Sequence, residues 1–186
     1  PKAYTGGAQW PTVRLAEIAS QNPHWASPND FDWADPHLRR LRKAPLRFER
    51  VPLAAKIRPG KGGPRGKVFV LLGPRQVGKT TYLKATIRQL IDGGVPARQI
   101  LYLSADTFHS PAEFRRAVDL FLAQHHASEG GVLLFDEITA LPSFAREIKR
   151  LADQGTTSRF PILSTGSSSF ALRTESEQLP GRGLEG

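Results

Sequence analysis

The sequence predicts an α/β fold in three layers, a mostly parallel sheet between helices, preceded by a basic, Trp-containing segment over residues 1–66. Three observations predict it. From residue 67 onward, short apolar runs alternate with amphipathic stretches of helical spacing. The charge is uneven: residues 1–66 carry a net +7 and residues 67–186 only +2 of the total +9. The join between them, Arg58-Pro-Gly-Lys-Gly-Gly-Pro-Arg-Gly66, is rich in turn formers. At 186 residues the chain is one domain with room for an appendage. Residues 1–66 are expected to be helical and loop, packing on a core formed by 67–186.

The elements follow in order. Lys67-Val-Phe-Val-Leu-Leu72 is a short run of strand formers, as a central parallel strand requires. Lys79 to Asp92 reads as a helix with Leu83, Ile87, Leu90 and Ile91 on one stripe, closed by Gly93-Gly94 with Pro96 beyond. Ile100 to Ser104 is a second strand. Pro111 to His126 is a second helix, with Pro111 in its first turn and Phe114, Val118, Phe121 and Leu122 facing inward. Gly130-Gly131 breaks the chain before a third strand, Val132-Leu-Leu-Phe-Asp136. Pro142 to Ala152 is a third helix with Phe144, Ile148 and Leu151 inward, and Phe160 to Thr165 a fourth strand. Repeated strand–helix alternation produces a parallel sheet covered on both faces.

Composition excludes several classes. With no cysteine there are no disulfides, thiolate nucleophiles or zinc–thiolate sites. No apolar run approaches the ~18 residues of a membrane helix, so no membrane partner is expected. The N-terminal Pro1-Lys2-Ala3-Tyr4-Thr5 has no apolar signal core, which points to the cytoplasm. Arg39, Arg40, Arg42, Lys43, Arg47, Arg50, Lys56, Arg58, Lys61 and Arg65 face only Glu49 between residues 37 and 66. Such a stretch attracts polyanions, whether nucleic acid, anionic lipid or nucleotide phosphates. It also fits a solvated face or a surface for an acidic partner. His125-His126 end a helix, where the macrodipole favours them, and find no metal-binding companions in the sequence.

The decisive motif opens the first helix of the core. Gly73-Pro-Arg-Gln-Val-Gly-Lys-Thr80 fits G-x-x-x-x-G-K-[ST], the Walker A or P-loop pattern, with a strand before it and a helix after. Its glycines let backbone N–H groups fold around an anion, and the helix N-terminus adds partial positive charge. The phosphate-binding candidates are Gly73, Pro74, Arg75, Gln76, Val77, Gly78, Lys79, Thr80 and Thr81, with the amides of Val77 to Thr81 free to donate. Lys79 offers a point charge to the outer phosphates and Thr80 a hydroxyl to Mg²⁺.

Val132-Leu-Leu-Phe-Asp136-Glu137 is an apolar strand ending in two carboxylates, the Walker B pattern when it follows a P-loop. Asp136 is the Mg²⁺ candidate beside Thr80, and Glu137 the base that orients and deprotonates a water. A carboxylate there favours hydrolysis over transfer to a small-molecule acceptor. Ser164-Thr165-Gly-Ser-Ser-Ser169 ends the fourth strand. Ser164 or Thr165 is placed to sense the terminal phosphate, against the plainer reading of a Ser/Gly turn. Arg182 in Leu179-Pro-Gly-Arg182 is a third catalytic candidate beside Lys79 and Glu137, since it can bring charge to a transferring phosphoryl group. An isolated surface arginine is the competing reading. The Asn-Lys-x-Asp of GTP-specific proteins is missing, as the only asparagines are Asn22 and Asn29. ATP is therefore preferred.

With these elements in place, the series Gly-Pro-Arg-Gln-Val-Gly-Lys-Thr-Thr, Ile-Leu-Tyr-Leu-Ser, Leu-Phe-Asp-Glu-Ile, Ile-Lys-Arg-Leu-Ala-Asp, Ser-Thr-Gly-Ser-Ser-Ser and Leu-Pro-Gly-Arg resembles a family of prokaryotic AAA-type P-loop ATPases near the STAND ATPases. The likeness runs from about residue 30 to 183, and Phe144 stands where that family often has Trp. It implies a P-loop NTPase fold of the ASCE type, in which the sensor strand lies between the two Walker strands. It also implies a lid and a C-terminal domain beyond residue 186, which this chain does not contain. The function expected is an Mg²⁺-dependent ATP-binding and ATP-hydrolysing domain that acts as a nucleotide switch for a fused or partner domain. Turnover by this chain alone is expected to be slow, because P-loop enzymes often take an arginine from a lid or neighbour. The alternative is a nucleic-acid-binding module, using the basic 37–66 segment, with ATP as a structural or regulatory ligand.

Overall fold

The computed structural model describes residues 15–44, 51–59, 66–125 and 130–167. Arg182, Trp10, His126 and residues Ser168 and Ser169 lie outside the described residues, as do Arg47, Arg50, Lys61 and Arg65 of the basic stretch.

Four strands form one sheet: β1 (Val68–Gly73), β2 (Ile100–Ser104), β3 (Val132–Asp136) and β4 (Ile162–Ser167), in the order β1-β4-β3-β2 and parallel throughout. The last strand in sequence is thus inserted between the strand that feeds the P-loop and the strand that ends in Asp136. This is the ASCE order that the family resemblance implies. Helix α5 (Lys79–Asp92) covers one face, and α6 (Pro111–Leu122) with α7 (Phe144–Asp153) covers the other. Side chains alternate across a strand, and the two cores divide accordingly. Leu101, Leu103, Leu133 and Phe135 pack with Phe114, Val118, Phe121, Ile148 and Leu151. Ile100, Tyr102, Val132, Leu134 and Leu163 pack with Leu83, Ile87 and Leu90.

Element limits shift slightly from expectation, each for a local reason. Helix α6 stops at Leu122, with Ala123 as its C-cap. Helix α7 starts at Phe144 because Ser143 before it has φ of 56°, outside helical space. Strand β4 begins two residues late: Phe160 N–H closes a turn onto Thr156 and Pro161 has no N–H, so Ile162 is the first to pair, donating to Lys67. It then runs on through Gly166 and Ser167, which lie beside Leu72 and Gly73.

Four helices precede the sheet: α1 (Leu15–Gln21), α2 (Phe31–Ala34), α3 (Pro36–Lys43) and α4 (Pro52–Ile57). They supply core residues to both faces, Ile18 with the α6/α7 side and Phe31, Leu38 and Ile57 with the α5 side. Between them, residues 21–25 lie along the outer edge of β2. An edge strand leaves every second residue's N–H and C=O unpaired, and here side chains take them. Asn22 Nδ2 donates to the Tyr102 carbonyl at 2.9 Å, and its Oδ1 accepts from Tyr102 N–H at 2.7 Å. Gln21 Oε1 accepts from Ser104 N–H at 2.8 Å, and Trp25 Nε1–H donates to the Ile100 carbonyl at 2.7 Å. His24 Nε2 reaches the same carbonyl at 3.0 Å. Burial lowers the His24 pKa to about 4, so the ring stays neutral in this role at ordinary pH. Thr107 closes the row, its hydroxyl donating to the Ser104 carbonyl at 2.7 Å. Among the described residues no helix is long and apolar enough to cross a membrane.

Candidate functional site

The carboxyl ends of β1, β3 and β4 meet at one edge of the sheet, where ligands of open α/β sheets bind. At the end of β1 the chain turns through Gly73 to Gly78 into α5. Gly78 sits at φ 91° as the N-cap of α5, a conformation that disfavours any Cβ, and open space surrounds the place a Cβ would occupy. Gln76 also has a positive φ of 63°. Pro74, Arg75, Gln76 and Val77 are exposed, while Thr80 and Thr81 in the first turn of α5 are half-buried. The first amides of a helix have no intrahelical acceptor and point out of its end, so the loop and helix together form an anion cradle.

Lys79 is buried to 6% exposure and its ammonium is held at the mouth of this loop. Nζ donates to the carbonyls of Gly73 at 3.1 Å and Pro74 at 2.7 Å, and lies 3.7 Å from Glu137 Oε1. The P-loop cation and the acid of the third strand therefore face each other across one site.

Asp136 ends β3 with its carboxylate almost fully buried. Its Oδ1 accepts from the Thr165 hydroxyl and from Glu137 N–H at 3.1 Å, and its Oδ2 from the Tyr102 phenol at 3.0 Å. Glu137 leaves the strand in the left-handed region, φ 46°, and its N–H also donates to Thr165 Oγ1 at 3.0 Å. This backbone turn directs its side chain away from the core, to 29% exposure, where water can reach it. Oε2 of Glu137 accepts from the Ser167 hydroxyl at 3.1 Å.

Sequence expectations meet this geometry unevenly. Lys79, Asp136, Glu137 and Thr165 are brought together. Ser164 faces elsewhere: its hydroxyl donates to the Phe69 carbonyl within the sheet at 3.3 Å. Arg182 lies outside the described residues. Two further residues stand at the site: Ser167, which lies in the 164–169 run but is not preferred there over Ser164 or Thr165, and Tyr102, which the sequence does not single out. Ser167 is held in place by Thr139, whose Oγ1 accepts its N–H at 3.2 Å. The same Thr139 crowds Gly166 so closely that any Cβ at 166 would collide with it.

The donor set suits Mg²⁺, a hard cation that takes oxygen ligands: the Thr80 hydroxyl and the Asp136 carboxylate are the residues that could hold it. The chemistry of the loop, N–H groups with the Lys79 ammonium at its mouth, suits phosphate groups.

Comparison with known proteins identifies the family. A family model described as an AAA domain matches residues 65–185, more than half of the chain. None of the curated proteins matches. Among solved structures, the C. elegans PCH-2 structure is similar over 70% of this chain and 38% of its own, at 17% identity and a TM-score of 0.44. The Aeropyrum pernix ORC1 protein, solved in complex with DNA, is similar over 87% of this chain and 48% of its own, at 16% identity and a TM-score of 0.47. The chain thus spans less than half the length of either. The match from the P-loop through the last strand places this chain in the AAA domain family.

Proposed function

We propose that this chain is an Mg²⁺-dependent ATP-binding and ATP-hydrolysing domain that serves as a nucleotide switch for a fused or partner domain, in the cytoplasm. The observation that carries the reading is the meeting of Lys79 and Glu137 at 3.7 Å across the mouth of the loop. The amides of Val77 to Thr81 hold the phosphates, and Lys79 turns its ammonium from the loop carbonyls to the terminal phosphate oxygens. Thr80 and Asp136 hold Mg²⁺, which neutralises charge on the phosphates when bound. Glu137 orients a water and takes its proton, with Ser167 fixing one carboxylate oxygen and leaving the other toward the cradle. Arg182 is assigned the remaining charge at the transferring group. Slow turnover by this chain alone is part of the proposal, because a lid or neighbour supplies further charge in many P-loop enzymes.

Calorimetry with ATP and Mg²⁺ tests the binding half. Lys79→Ala is expected to weaken ATP by about 10- to 150-fold, the ~1.5–3 kcal/mol of hydrogen bonds to a charged group. Equal affinity in both proteins would overturn the assignment of the loop.

A second reading is supported by one surface. Arg39, Arg40, Arg42 and Lys43 of α3 are all exposed. At 100° per residue they span about 160° of the helix, one continuous outer face, opposite Leu41, which packs against the core. Trp33 stands beside it at 59% exposure, with the Arg42 guanidinium 4.9 Å from its ring centroid. This patch fits a nucleic-acid backbone, with ATP then a structural or regulatory ligand. Reversing the four charges is expected to weaken binding of single-stranded DNA. The slope of log affinity against log salt should flatten by about 0.7 for each phosphate that the variant no longer neutralises. An unchanged slope removes the reading.

A further inference from the structure

The phenol of Tyr102 contributes to the site from β2, a strand that carries none of the expected nucleotide-binding residues. We infer that Tyr102 is a positioning residue for the metal-holding carboxylate of Asp136, an inference that rests on the ATP and Mg²⁺ reading above. A carboxylate has about four acceptor positions. In Asp136 three are filled: Oδ1 by the Thr165 hydroxyl and the Glu137 amide, Oδ2 by the Tyr102 phenol at 3.0 Å. One position remains, on Oδ2, and the hydrogen bond from Tyr102 decides which way it points. Without that bond the carboxylate is held at one oxygen only and can swing about it.

The phenol is itself held in place. Tyr102 is 6% exposed, and the Lys84 ammonium lies over its ring at 3.3 Å from the centroid. Lys84 in turn pairs with Asp35 Oδ2 at 3.5 Å, and Asp35 Oδ1 caps α3, accepting from His37 N–H at 2.8 Å and Leu38 N–H at 3.2 Å. Asp35, Lys84 and Asp136 are all at least nine-tenths buried. The ring is clamped from above by a cation and its hydroxyl is aimed at one oxygen, as orientation of a ligand by an outer shell requires.

The test compares wild type with Tyr102→Phe for nucleotide binding without metal, and for Mn²⁺ binding to the ADP complex by electron paramagnetic resonance. Metal-free ADP affinity is expected to stay within twofold. Mn²⁺ affinity is expected to fall about tenfold, the lower end of the loss seen when outer-shell partners are removed. In an Asp136→Asn background the same change at 102 is expected to do nothing further. Unchanged Mn²⁺ affinity, an equal loss in the metal-free arm, or a full effect in the Asp136→Asn background overturns the inference. Failure of the wild type to bind ADP at all would instead overturn the nucleotide reading. Should Phe at 102 not fold, the intact chain gives a second measurement. Its three tyrosines can be replaced by 3-fluorotyrosine. The Tyr102 fluorine resonance is expected to move when Mg²⁺ joins the ADP complex, and a fixed resonance counts against the role.

Discussion

In Glu137→Gln, phosphate release is expected to fall by about 10²- to 10⁴-fold, the range for loss of a positioned general base, while ATP still binds. The substitution keeps the side chain's shape. Its carbonyl oxygen can still accept from Ser167, which holds Oε2 at 3.1 Å, and the left-handed turn at 137 is set by backbone bonds to Asp136 and Thr165. What it removes is the proton acceptor and the negative charge 3.7 Å from Lys79. Losing that charge frees the ammonium for phosphate, so ATP affinity should hold or rise. A malachite-green assay beside calorimetry separates the two effects. Wild-type turnover in the variant means that Glu137 is not the base, and joint loss of binding and turnover means that its role is structural.

The second large effect is on stability. Lys84→Met is expected to cost about 3–5 kcal/mol, because it leaves the Asp35 carboxylate buried and uncompensated. At about 2–4 °C per kcal/mol for a chain of this size, the melting temperature should drop by roughly 6–20 °C. Lys84 is 5% exposed and Asp35 3%, so water cannot replace the lost partner. Burial lowers the Lys84 pKa, and Asp35 opposes that shift. The Lys84→Met/Asp35→Asn pair should regain most of the loss. Asparagine's carbonyl oxygen can still cap α3, and a neutral pair has no charge to desolvate. Urea unfolding of the two variants beside wild type reads this directly. A single variant within 1 kcal/mol of wild type would show that the pair contributes little.

Much of the fold is legible because it is written locally. The apolar runs at 68–72, 100–104 and 132–136 and the glycine spacing of the P-loop depend on residues within a few positions of one another. Lys79, Asp136 and Glu137 follow from that spacing. Ser167 is not legible in the same way. It sits after Gly166, a residue that suggests a turn, and becomes a strand residue only because β4 lies between β1 and β3. Ser164 misleads for the same cause: which residue of a strand faces the site is fixed by register, and a shift of one residue exchanges the faces. Tyr102 is hidden because its strand reads as a plain apolar run, and its partner Asp136 is 34 residues away in sequence. The hydrogen bonds of Gln21, Asn22, His24 and Trp25 with β2 span 75 to 83 residues, a distance over which local pattern carries no information.

Those last bonds separate two kinds of boundary. The family model matches from residue 65, yet the groups that seal the open flank of the sheet come from residues 21–25. The family match therefore starts well after the residues that complete the hydrogen bonding of the sheet's outer edge. The loop and the strand-end carboxylates lie inside the matched residues, whereas the hydrogen bonds that cover the edge of β2 come from residues before them.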